Sequence, residues 1–253
     1  MPNRIILIVQ ARMNSKRFKN KIMFEIKKKP MIYWILKRIS HSKLVNKFVV
    51  ATTTEITDDE FANWIKTNTT FKIFRGSTNN VLKRFFLCAK KYKAKYVVRI
   101  TADDPFKDYR IIDKAIKIII NNKQIDYCSN TLKPSYPDGL DVEVFKYTAL
   151  KKAHMRAKLD SEKEHVTPYI YKNKNLFKLV NFSYKEDISA WRLTVDTKQD
   201  IKIIKKIIMH FKDIIPVPYY KIINYIKNNN KLGLIRNIKK NTSYLKQVRY
   251  EKI

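Results

Sequence analysis

The sequence predicts an α/β fold with a mostly parallel sheet and helices on both faces. Three observations lead there. Short β-branched runs recur along the chain, stretches with apolar residues at helical spacing separate them, and strands that alternate with helices imply a parallel sheet covered on both sides. The 253 residues are 45% hydrophobic against 30% charged, enough apolar surface to offset the ordering entropy of a sizeable core.

Residues 4–9 form a short apolar run of the kind that becomes a buried strand, and the polar residues after it open a loop. Within residues 30–39, Met31, Ile32, Trp34, Ile35, Leu36 and Ile39 keep near-helical spacing, and residues 47–52 return to strand chemistry, completing one βαβ unit. A helix over 58–65, a strand over 71–74, a helix over 79–92 and a strand over 96–101 continue the alternation. A helix from 108 to about 120 leads to Asp126-Tyr127-Cys128-Ser129, and residues 140–145 read as a polar-apolar strand. Residues 136–184 look like an excursion from the parallel sheet, with helices over 146–156 and 162–171 and a strand over 177–182. Leu193-Thr194-Val195 resumes sheet character, 198–211 carries a helical apolar stripe, and a helix over 219–227 precedes a basic, asparagine-rich tail.

The net charge of +32 invites a nucleic-acid reading, because such fields recruit polyanions. The distribution argues otherwise. Of 54 basic residues 42 are Lys and 12 are Arg, spread from Lys16 to Lys252 without one dominant cluster, whereas nucleic-acid binders concentrate charge on one face. A field favouring small anionic substrates fits equally well, so no nucleic acid is expected as the main ligand. Cys88 and Cys128 have no zinc or disulfide-framework spacing, which points to a reducing compartment or simply to core packing, the role expected for both. No apolar run approaches the ~18 residues of a membrane span, and the expected location is cytoplasmic. Only three glycines occur, so Gly76 and Gly139 should mark positive φ or a close backbone approach; Gly233 lies in the tail.

In open α/β sheets ligands bind beyond the carboxyl ends of the strands, which singles out four segments. The first, Gln10 to Lys21, carries Arg12, Arg17 and three lysines, a mixture of planar forks and point charges suited to phosphate oxygens; alone, it is equally a solvated basic loop. Neither the Walker spacing nor the Gly-x-Gly-x-x-Gly fingerprint occurs. The second is Thr101-Ala102-Asp103-Asp104-Pro105, whose carboxylates suit Mg²⁺, with a helix cap as the alternative for Asp104. The third, Tyr136 to Glu143, would project Asp141 and Glu143 from one face of a strand toward a polyhydroxylated substrate, or is a Pro-Asp-Gly turn beside a polar sheet face. The fourth is Asp196, placed to share a metal with Asp103 or to cap the helix from residue 198. His165 can orient a ligand, act as a base, or be structural. Without a Gly-x-Ser-x-Gly elbow or zinc spacing, covalent and zinc catalysis are not expected.

Seven segments in order carry a resemblance: Val9 to Met13 on to Lys21, Val50 to Thr53, Phe74 to Ser77 with Asn80-Val81-Leu82, Arg99 to Pro105, Tyr136 to Phe145, Glu164 to Ile170, and Arg192 to Thr197. Through them the chain resembles the cytidylyltransferase family of nucleotidyltransferases. It is close to the spore coat polysaccharide biosynthesis protein F group and more distantly similar to acylneuraminate and 3-deoxy-manno-octulosonate cytidylyltransferases. The resemblance implies a Rossmann-like nucleotidyltransferase domain over residues 1–215, with an inserted sugar-binding and dimerisation region at about 136–184 and a basic C-terminal helix and tail over 216–253. It implies CTP held by Ala11, Arg12, Ser15 and Lys21, with Arg75, Gly76, Ser77 and Arg84 bordering the cytosine and ribose. Mg²⁺ on Asp103 and Asp196, sugar contacts from Asp138, Asp141, Glu143, Glu164 and His165, and a homodimer follow from the same resemblance. The family's first loop carries glycines where this chain has Asn14 and Asn20, and asparagine is the next most tolerant of positive φ.

The implied reaction is attack of a sugar hydroxyl on the α-phosphorus of CTP with in-line loss of pyrophosphate, Arg12 and Lys21 stabilising the leaving group. The relatives and the positive field point to an acidic 2-keto-3-deoxy sugar destined for surface polysaccharide. Two other classes stay open: a metal-dependent glycosyltransferase using Asp103 and Asp104, and a basic nucleic-acid-binding module.

Overall fold

Residues alternate between two cores in the first strand, β1 (Ile5–Gln10), where Ile5, Leu7 and Val9 face one and Ile6 and Ile8 the other. Such a strand can only sit at the centre of a sheet covered on both faces. The computed structural model describes residues 3–14, 18–212, 216–229, 232 and 235. After β1 comes a single helical turn at Lys21–Met23, then a small hairpin of β2 (Glu25–Ile26) and β3 (Lys29–Pro30). Next are α1 (Met31–Ile39), β4 (Lys47–Thr53), a turn at Ile56–Asp58, α2 (Asp59–Asn68), β5 (Lys72–Gly76), α3 (Val81–Lys91), β6 (Tyr96–Thr101) and α4 (Tyr109–Asn121). The chain then builds β7 (Tyr127–Ser129), β8 (Glu143–Lys146), α5 (Tyr147–Arg156), α6 (Asp160–His165), α7 (Pro168–Lys172), β9 (Leu179–Asn181), α8 (Lys198–His210) and α9 (Tyr219–Lys227).

Among the described residues seven strands form the main sheet in the order β5-β4-β1-β6-β8-β7-β9, and every neighbouring pair is parallel except those involving β8. The carboxyl ends of β1, β4, β5 and β6 therefore share one edge, and the start of β8 joins them because Glu143 pairs with Arg99. One core packs α1, α2, α4, α8 and α9 against the sheet, and the other packs α3, α5 and α7. Cys88 and Cys128 are buried free thiols in different cores, as packing predicts. Among the described residues no helix is long and apolar enough to cross a membrane.

The expected elements appear up to residue 129 within a few residues at their ends, and α9 matches its expected bounds. Beyond 129 there are four corrections. The 136–184 segment leaves the parallel order at antiparallel β8, as expected, but it stays in the sheet, since β8 and β9 are two of its strands. Residues 140–142 precede the strand rather than begin it, held where the Asn130 amide donates to Leu140 O and its Oδ1 accepts from Val142 N. The helix expected over 162–171 is two, because Val166 takes φ 72 and Pro168 restarts the helix. Leu193 to Val195 is not a strand. Its backbone instead bonds singly to Asp138 and Asp103, beside an isolated bridge between Asp138 and Arg192.

Candidate active site

The loop after β1 is tied at its base. Met13 N donates to Asp58 Oδ1 at 2.7 Å, Asn20 N donates to Met13 O, and Ala11 N donates to Ala51 O. Asn20 takes φ 57, the left-handed conformation expected where the family has glycine; Asn14 does not. Asp58 also accepts from Thr52 and Thr53 through both hydroxyls and the Thr53 amide. Burial opposes its ionisation, yet these donors hold its carboxyl below the usual carboxylate range. Asp58 was not singled out from sequence, where it reads as one more acid near a helix start. Ser15, Lys16 and Arg17 lie outside the described residues.

The loop delivers Lys21 to the centre of the site. Its Nζ lies 3.1 Å from Asp103 Oδ2, 3.4 Å from Asp196 Oδ1 and 2.9 Å from Val195 O. Asp103 follows β6, and Asp196 is carried alongside by the Val195 N bond to Asp103 O. Burial would raise the Asp103 carboxyl, but the Lys21 ammonium outweighs it and holds the group below its ordinary value. Asp196 also pairs with Arg192, which is bound to Asp200. Asp196 is not a cap, since Thr197 caps α8. Two carboxylates brought within 3.1 and 3.4 Å of one cationic atom, the Asp103 side chain 31% exposed, form the hard-oxygen donor set that Mg²⁺ takes together with substrate phosphates, so the residues fit that ion. Asp104 is no helix cap either: Asp108 caps α4, while Asp104 Oδ2 accepts from Lys107 and Thr101.

The 75–84 segment divides. Arg84 is buried, donates to Ser77 O at 3.1 Å, and is pushed down to about 10 by burial first and by Arg12 second. That repulsion places the Arg12 and Arg84 guanidiniums in one field, an arrangement that a polyphosphate would relieve. Gly76 makes the expected close approach, since a Cβ there would meet Arg84 Cγ at 3.1 Å and Phe74 at 3.2 Å. Arg75 turns elsewhere. It donates to Thr53 O and Glu55 O and pairs with Asp59 at 2.5 Å, fastening β4 to α2. Ser77 Oγ accepts from Asn80 N at the head of α3.

Beside the Lys21 node lies a pocket of about 220 Å³, walled by Arg99, Thr101, Lys107, Thr131, Asp141, Glu143, His165, Thr167 and Tyr171. Asp141, Glu143 and His165 were expected there; Arg99 and Lys107 were not, because nothing local distinguishes them from the chain's other cations. Glu143 is fully engaged, accepting from Tyr127 Oη and Thr167 Oγ1 at 2.6 Å each and from Arg99 Nη1. It therefore braces the wall rather than presenting an open carboxylate. Burial opposes ionisation, but Arg99 and the two hydroxyls hold it below the ordinary range. Glu164 reaches Arg12 at 4.0 Å, linking the segment beside the pocket to the loop after β1.

Asp138 lies just behind, pushed up to about 7 by burial and by the charges of Asp141 and Asp104. Its turn depends on Gly139, whose φ is +103 and where a Cβ would stand 2.9 Å from the Leu193 carbonyl carbon. Gly139→Ala is expected to cost about 2–5 kcal/mol, combining left-handed strain with overpacking against backbone, and to lower Tm by roughly 5 to 15 °C. Calorimetry of that variant beside Gly76→Ala, which meets only side chains, checks it; equal losses would mean that the backbone contact does not matter.

The sequence profile of the family described as Cytidylyltransferase matches residues 6–250. The chain is 37% identical over 246 residues to an uncharacterised protein of Methanocaldococcus jannaschii, covering 95% of this chain and 98% of that one. It is 32% identical over 211 residues to the spore coat polysaccharide biosynthesis protein SpsF of Bacillus subtilis, covering 80% and 85%. A cytidylyltransferase from Leptospira borgpetersenii superposes with a TM-score of 0.88 at 31% identity, covering 94% of this chain and 99% of that one.

Proposed function

The chain belongs to the cytidylyltransferase family and is a CTP-dependent nucleotidyltransferase; from that premise we propose that it transfers CMP to a sugar hydroxyl. The acceptor is of the acidic 2-keto-3-deoxy class that the resemblance implies, and pyrophosphate is the second product. The observation that carries this reading is the convergence of Lys21, Asp103 and Asp196 at the strand ends, next to a pocket of sugar size.

Arg12, Lys21 and Arg84 supply the positive field for the triphosphate, and the loop base tied by Asp58 fixes where Arg12 and Lys21 stand. Asp103 and Asp196 would hold Mg²⁺, which when bound neutralises charge on the phosphates. Lys21 stabilises the departing pyrophosphate by position and charge, the main resources of this chemistry. The pocket orients the acceptor through Asp141, Thr131 and Lys107, while Asp138 shapes the turn behind it.

Thermal denaturation with Mg²⁺ and each of CTP, UTP, ATP and GTP tests the nucleotide. At 100 times its dissociation constant a ligand adds about 2.7 kcal/mol, roughly 5 to 10 °C here. A rise selective for CTP, followed by pyrophosphate release with acidic sugars and not with neutral hexoses, is expected. Equal rises with all four nucleotides would mean that a basic protein is binding anions. Release with neutral sugars alone would overturn the acidic class.

A further inference from the structure

Val166 is a buried β-branched residue at φ 72, ψ −53, in the left-handed half of backbone space that such side chains avoid. Thr167 N donates to His165 O at 2.8 Å, closing a three-residue γ-turn of the rare positive-φ kind. Such strain persists only where the surroundings over-determine it, and it gathers at functional sites. Here the restraints are visible. The Val166 side chain packs into the core beneath α3 and α5, and Thr167 Oγ1 donates to Glu143, itself locked by Tyr127 and Arg99.

The turn joins α6 to α7 at the mouth of the acceptor pocket, whose wall includes His165. Its neighbour Glu164 touches Arg12 of the phosphate loop. His165 thus lies in the wall of the acceptor pocket, one residue from the contact with the loop that carries Arg12.

We propose that His165 is the proton acceptor for the attacking hydroxyl, and that the Val166 turn, clamped by Glu143 through Thr167, is the device that positions it. The role rests on the cytidylyl-transfer reading of the same site. The hydroxyl oxygen bonds to the α-phosphorus, its proton passes to the His165 imidazole, and the bond to the bridging oxygen breaks with its electron pair leaving on pyrophosphate. The other groups around the pocket suit this less. Glu143 is held by three donors, Arg99 is paired with it, and Lys107 stays an ammonium because Asp104 and Asp141 outweigh its burial. Tyr171 faces the pocket from α7, and Asp141, in the same wall, is the competing base.

The test needs no knowledge of the sugar. Pyrophosphate release from CTP is followed with water and molar glycerol as acceptors, over about pH 5 to 9, alongside the CTP-induced rise in Tm. For the wild type, release is expected to fall toward the acid end of that range, as a protonated imidazole cannot accept the proton. His165→Gln should lose about 10²-fold and the acid limb with it, while keeping the CTP-induced rise. Thr167→Val should lower the rate and Thr167→Ser restore it, a pattern that a merely structural hydroxyl would not give if both variants match the wild type in Tm. An unchanged rate and limb in His165→Gln, transfer of the limb's loss to Asp141→Asn, or wild-type release no faster than that of His165→Gln would each overturn the proposal. Absence of a CTP-induced rise in the wild type would instead overturn the nucleotide reading, and this role with it.

Discussion

Lys21→Met will abolish turnover while costing only modest stability, and Asp103→Asn will abolish turnover at almost none. The contrast follows from what each change leaves behind. Removing a partner from a fully buried ion pair costs about 3–5 kcal/mol, since the surviving charge is stranded. Here Asp196 keeps Arg192, and the Asp103 side chain is 31% exposed, so water replaces part of what Lys21 gave. About 2 kcal/mol, near 5 °C in Tm, is expected for Lys21→Met. Asp103→Asn keeps the shape and leaves Lys21 bound to Asp196 and to Val195 O. For both, the loss of turnover should reach about 10³-fold or more, the scale of removing a preorganised electrostatic group from a reacting centre. Paired melting curves and pyrophosphate-release rates check this. A variant that loses activity only in proportion to its folded fraction would remove the node from the chemistry.

How much of this was legible in the sequence depends on the range over which each feature is determined. The burial of β1 could be read because a continuous short apolar run is a local signal, and α9 because its apolar spacing is complete within one element. The node could not be read whole. Lys21 lies 82 residues from Asp103 and 175 from Asp196, so the two acids could be nominated as a pair and the loop lysine apart from them, but that all three meet is set by strand order. Arg75 shows the converse, a cation in a family segment whose donors the fold spends on β4 and α2. Leu193 to Val195 has strand composition, yet its amides go singly to Asp138 and Asp103, a tertiary override of propensity. The break at Val166 carried one local sign, Pro168, whose missing N–H and fixed φ suit the first turn of a new helix and not the interior of a continuing one. Nothing at Val166 itself announces a positive φ.

The pH dependence of stability should show a maximum near pH 5, displaced to the acid side of neutrality by opposing sets of buried carboxyls. Glu143 is depressed in the folded state despite burial, chiefly by Arg99, so its contribution is present above the unfolded value of about 4.3 and disappears as pH falls through the folded one. Asp138, raised to about 7, and Asp104, raised to about 6, act the other way, because burial and neighbouring acids make the folded state bind more protons than the unfolded chain. With more protons on the folded side, stability must fall as pH climbs from about 4 toward 7. Tm measured against pH without added metal should therefore decline on both sides. Asp138→Asn should flatten the neutral limb and raise Tm at pH 8 by roughly 5 °C, since it removes a charge that the fold resists. Glu143→Leu should do the reverse and more. It strands Arg99 beside two hydroxyls that lose their acceptor, for a loss of about 5 kcal/mol and roughly 10 to 20 °C. If Asp138→Asn leaves the neutral limb intact, the repulsion among Asp104, Asp138 and Asp141 is relaxed by water reaching the turn, and the acid-side optimum has no physical basis.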